Sequence, residues 1–101
     1  MNMEVEPRQG LVDVVPHIWD RAKATDPMHV RVEFYGGVEE CEGLDRVEVD
    51  ETAETVTITL YTGRVPSAEV CIEIAVLKAI TVDLDAPLGD REIIDGAATK
   101  T

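Results

Sequence analysis

Two cysteines, Cys41 and Cys71, are the residues of this chain best suited to covalent chemistry. Thirty residues separate them. A bond closing a loop of that length stabilises a fold by about 3–4 kcal/mol on the chain-entropy estimate. Two buried free thiols are the alternative. Redox or metal chemistry is a third reading, and it lacks both a C-x-x-C pair and clustered histidines. Cys71 has opposite parity to Val70 and Ile72. In a regular strand its side chain therefore faces away from theirs, and a loop cysteine would have to meet it on that other side or at a strand end.

The remaining polar groups offer weaker chemistry. Asp83, Asp85 and Asp90 are spaced like ligands of a calcium loop, with Asp95 beyond them. Hard cations take several oxygen ligands, but the twelve-residue pattern with a closing glutamate is absent. Pro87 and Gly89 suit the second and fourth positions of a type I turn, which is the plainer reading. Arg91 is placed to pair with a nearby aspartate, worth roughly 0–1 kcal/mol on a surface. His17 and His29 flank Asp26-Pro27, with Asp20 or Asp26 to orient one of them, yet no third metal ligand is apparent. Glu39, Glu40 and Glu42 would do acid–base work only if burial split their proton affinities, and a solvated loop is expected instead. Ser67 is the only serine and has no G-x-S-x-G around it. The sequence thus implies no catalytic residue and no cofactor. Trp19, the lone tryptophan, reads as core, with an exposed contact as the alternative.

The elements that would carry these groups are strands. Val56, Ile58 and Leu60 alternate with Thr57, Thr59 and Tyr61, the period of a strand with one buried face. Val30, Val32 and Phe34 repeat the pattern, as do Val47 with Val49, and Ile80 with Val82 and Leu84. Residues 11–15 make a first strand ended by Pro16, suited to an edge. Residues 17–23 fit a strand or a turn of helix, joined to the next strand by a hairpin at Asp26-Pro27. Residues 68–78 are ambiguous: Val70, Ile72, Ile74 and Val76 share a strand face, while Val70, Ile74 and Leu77 fit helical spacing. Extended structure is expected there, with Lys78 marking a bulge or break. A short strand over residues 91–95 closes the chain.

Composition sets the frame. The 101 residues suffice for one domain. It is expected over residues 11–95, between a flexible leader, 1–10, and a flexible tail, 96–101. Apolar residues make up 45 % and aromatics only 4 %, so the core must be mainly Val, Ile and Leu. The net charge of −12 repels phosphate backbones and anionic lipid alike, which argues against nucleic-acid and membrane-surface partners. No apolar run approaches the ~18 residues of a membrane span. About seven short strands, each with one apolar face, predict an all-β antiparallel two-sheet sandwich, immunoglobulin-like, with a partly closed barrel as the alternative.

The residues 37–41 (Gly-Val-Glu-Glu-Cys), 44–49 (Leu-Asp-Arg-Val-Glu-Val), 55–58, Cys71 and 82–91, with their Pro-Leu-Gly-Asp-Arg turn, resemble a group of small actinobacterial proteins. Many of those are exported or lipoproteins, and no activity is assigned to them. The similarity runs from about Trp19 to Asp95. It implies a bond between Cys41 and Cys71, a location outside the cytoplasm, and no catalytic residues. Residues 1–10 depart from that group, with no apolar signal core and no lipobox cysteine, which keeps a cytoplasmic location as the alternative. The expected function is a non-enzymatic interaction or structural domain that binds another protein. A small-ligand or calcium-binding module is the alternative.

Overall fold

A computed structural model describes residues 3–98. The alternating segments form eight strands, and no helix occurs among the described residues. They are β1 (Met3–Glu4), β2 (Val12–His17), β3 (Arg21–Asp26), β4 (His29–Gly36), β5 (Glu42–Glu51), β6 (Thr55–Arg64), β7 (Val76–Asp83) and β8 (Glu92–Asp95). One sheet has the order β1-β7-β4-β3 and the other β2-β6-β5, with β8 also on β6. β5 pairs along nearly the whole of β6, so β2 and β8 share the opposite edge, one after the other.

The core follows the period of two. Val30, Val32 and Phe34 of β4 and Ile80 and Val82 of β7 face Leu44 of β5 and Val56, Ile58 and Leu60 of β6. Full burial of each such side chain contributes about 1.5–3 kcal/mol. Trp19 packs against this cluster and donates its indole N–H to the Ile58 carbonyl at 3.0 Å. Its own amide reaches the Asp95 carboxylate at 2.8 Å, tying the β2–β3 link to β8.

Several local expectations change. The sheets are mixed, because β1 runs parallel to β7 and β8 parallel to β6. Residues 3–8, assigned to a leader by composition, bridge the two layers. The Val5 amide bonds the Ala79 carbonyl at 2.9 Å, the Arg8 amide bonds the Leu44 carbonyl at 3.0 Å, and Val5 joins the core. The tail residues 99–101 lie outside the described residues. Pro16 does not end β2 but sits within it opposite Tyr61, tolerated because β2 is an edge. Residues 17–23 divide between β2 and β3 with no helical turn. The β4–β7 ladder runs without a register shift from His29↔Asp83 to Gly36↔Val76, so Lys78 is neither bulge nor break. The closing turn lies at residues 88–91, where the Arg91 amide bonds the Leu88 carbonyl at 3.1 Å. Gly89 takes a left-handed φ of +58°, which a side chain would strain.

Because Ile58 is fully buried between the layers, Ile58→Ala is expected to lower the unfolding free energy by about 3 kcal/mol in urea titration. A loss below about 1 kcal/mol would contradict the two-layer packing.

Candidate functional site

The one end of the sandwich where unusual chemistry gathers is the crossing from β6 to β7. Cys41 and Cys71 are joined there, with Cα atoms 5.9 Å apart. Cys41 is buried at the end of the β4–β5 loop, and Cys71 is exposed in the crossing. The Val65 amide bonds the Cys41 carbonyl at 2.8 Å, so the loop and the crossing are held both by sulfur and by backbone.

Beneath the bond lies a buried lysine. Lys78 has the inward parity of Ile80 and Val82 and is 1 % exposed. An isolated ammonium in such a place is very costly. Here the Glu39 carboxylate meets Nζ at 2.5 Å and the Glu42 carbonyl accepts from it at 3.3 Å. The Glu42 carboxylate turns instead to the Gly37 amide at 2.7 Å. Gly36 leaves the room this requires, since a Cβ there would lie 3.0 Å from Glu42 Oε1 and 3.4 Å from Lys78 Nζ. The Arg8 guanidinium crosses over Gly43 and donates to the Glu39 carbonyl at 2.6 Å. The Glu39–Glu42 stretch is therefore not a solvated loop. Of its three carboxylates only that of Glu40 stays fully in water. In the sequence Lys78 reads only as a bulge or break in the apolar alternation, and nothing there names its partner thirty-nine residues away.

The crossing itself is bare. Val70, Ile72 and Ile74 are 88 %, 66 % and 54 % exposed. Among the described residues no backbone hydrogen bond joins residues 69–74 to any other segment. The expected strand over 68–78 thus begins only at Val76. The chain bends at Val70 and residues 69–75 are all exposed. Ile72 and Ile74, with Cys71 and Glu73, line the rim of a shallow hollow of about 280 Å³ against Gly37, Val38, Glu42 and Arg64.

The other singled-out residues are scattered. Asp83 sits against His29, Asp85 donates its amide to Glu51 at 2.7 Å, and Asp90 is exposed in the closing turn. Among the described residues no three His, Cys, Asp or Glu gather as a metal site. Arg91 does not pair with a surface aspartate. Its guanidinium meets Glu51 at 3.2 Å and the carbonyls of Thr52, Ala86, Pro87 and Leu88, pinning two loops. The Asp85 amide, together with Arg91, holds the Glu51 carboxyl below its usual range. Ser67 is exposed in a turn. The histidines do not meet. His17 spans Tyr35 O at 2.6 Å and Thr62 Oγ1 at 3.2 Å. It lines an open hollow of about 300 Å³ with Ile18, Trp19, Asp20 and Tyr35. His29 lies between Asp26 at 2.8 Å and Asp83 at 3.2 Å.

No family model matches this chain, and neither a curated protein nor a solved structure matches it. Among the described residues no helix is long and apolar enough to cross a membrane.

Two predictions follow from these contacts. Glu39→Gln leaves Lys78 without its countercharge and should cost about 3 kcal/mol, while Lys78→Met in that background should recover most of the loss. Equal stability of Glu39→Gln and the parent in denaturant titration would contradict the buried pair. The hydrogen bond to Asp26 raises the affinity of His29 for its proton and lowers that of Asp26. The histidine contribution is present below its ordinary range and lost as pH rises through the raised folded value. The aspartate contribution is present above the ordinary carboxylate range and lost as pH falls through the lowered one. His29→Gln should therefore flatten the decline in stability from mildly acidic to mildly alkaline pH. An unchanged slope would contradict the clamp.

Proposed function

We propose that this domain is a non-enzymatic protein-binding module and that Val70, Ile72 and Ile74 form its contact. Their exposure beside a covalent tie is the observation that carries the reading. Three large aliphatic side chains in one short segment are more than the scattered single apolar residues usual on a surface. The disulfide makes the strip a fixed feature, which lowers the ordering cost of binding. The hollow beside Trp19 gives less support to a small-ligand reading, since both ring nitrogens of His17 and the indole N–H of Trp19 already have partners.

In architecture we read the sandwich as immunoglobulin-like. Two layered sheets support this, with the chain changing sheet at every connection except the β3–β4 and β5–β6 hairpins. A location outside the cytoplasm, at or beyond the cell surface, agrees with the disulfide, because such bonds persist in oxidising compartments. The resemblance to small exported actinobacterial proteins points the same way.

The test compares the oxidised full chain with its Ile72→Ser/Ile74→Ser variant, each immobilised and exposed to the same extracellular extract. Both substituted positions are exposed, so the unfolding free energy should change by only about 0.5 kcal/mol each. Proteins retained by the parent should be lost by the variant. Identical retained sets would overturn the assignment of the strip as the contact.

A further inference from the structure

We propose that the partner is a basic, extended protein segment that adds as a strand along residues 69–74, an inference that rests on reading this strip as the contact surface. Two independent features of the crossing point to it.

The first is the backbone. Residues 69–74 alternate apolar and polar side chains and lead directly into β7, yet no backbone–backbone hydrogen bond joins them to another segment among the described residues. The Val70 carbonyl lies 3.7 Å from Cys41 Sγ, which as a disulfide sulfur has no proton to donate. A β-competent stretch with free backbone groups is what an incoming strand pairs with, and alternate side chains then set specificity. Cys71 fixes the segment at its middle, so its exposed apolar side chains are held in place before the partner arrives.

The second is charge. Glu69 and Glu73 interleave with the apolar residues, and Glu40 lies on the neighbouring loop. All three are exposed, and none has an ion-pair partner among the described residues. Two of the cations at this end are paired, Arg64 with Asp13 at 2.6 Å and Lys78 with Glu39, while Arg8 donates to the neutral Glu39 carbonyl. No ion pair joins any of them to Glu40, Glu69 or Glu73 among the described residues. The uncompensated carboxylates therefore call for lysine or arginine on the partner, alternating with small apolar residues that reach the strip. A second copy of this chain is the wrong chemistry. It would set Glu69 and Glu73 against their own kind on a protein already carrying −12.

The experiment uses the oxidised full chain and three synthetic peptides. One alternates lysine with valine, one alternates glutamate with valine, and the third is the lysine peptide with alternate backbone amides N-methylated. Affinity is read by titration calorimetry and strand pairing by hydrogen exchange at individual amides. The lysine peptide should bind and protect amides within residues 69–74. N-methylation should weaken it roughly tenfold, the equivalent of one to two lost hydrogen bonds. Rising salt should weaken it further, and the glutamate peptide should not bind. Equal binding of the lysine and glutamate peptides would overturn the basic partner. Equal binding of the methylated peptide, or protection elsewhere, would overturn strand addition. If these fail while Ile72→Ser/Ile74→Ser still loses proteins from the extract, the contact surface stands and only its partner chemistry falls. If no peptide binds and the variant also retains the parent's proteins, both fall. Concentration-dependent dimerisation that the double variant abolishes would identify a second copy as the occupant and overturn the basic partner.

Discussion

A covalent tie at one end of the sandwich holds a stretch of apolar chain outside both sheets. Cys41 ends a loop that Glu39 ties to Lys78 and that the first residue of β5, Glu42, ties back to the Gly37 amide. Cys71 is drawn to it. The residues on either side of Cys71 belong to no strand, and Val70, Ile72 and Ile74 stay largely in water. Ile72 and Ile74 reach only the rim of a hollow lined by Gly37, Val38, Glu42 and Arg64. Hydrophobic burial of three such side chains is worth several kcal/mol. The loop-closure constraint is of similar size, and the bond is not a quantity that burial can trade against without breaking it.

The rest of the fold makes this arrangement affordable. Core residues from four strands fill the space between two layers. The N-terminal segment crosses between them at Val5 and Arg8, so the open side near β5 and β7 is partly closed by residues 3–8. At the opposite end Arg91 gathers four carbonyls and the Glu51 carboxylate, holding the loops around β8. The buried Lys78 belongs to the same economy. Its aliphatic stem continues the inner face of β7, and its charge is answered only because the loop bearing Cys41 brings Glu39 across it.

Much of the architecture was legible from period two alone. Val30, Val32 and Phe34, like Val56, Ile58 and Leu60, point inward as their alternation predicts, and the hairpin at Asp26-Pro27 joins β3 to β4 as expected. The edge position of β2 followed from Pro16. The errors have a common cause: alternation fixes which side a residue takes but not whether a neighbouring strand exists to cover it. Residues 68–75 have the pattern of a strand and no partner, so they form none. Residues 3–8 have little pattern and yet are paired, because Val5 and Arg8 find acceptors on different sheets. Long-range polar pairs were illegible for the same reason. Glu39 with Lys78, and Glu51 with Arg91, join positions whose nearness depends on the completed topology.

Hydroxyl-radical footprinting of the oxidised chain tests this account most directly, because it reads side-chain exposure residue by residue. Val70, Ile72 and Ile74 should be labelled heavily, while Val56, Ile58 and Val82 of the core remain protected. Protection of the three crossing residues to the level of the core, with the disulfide intact, would contradict it.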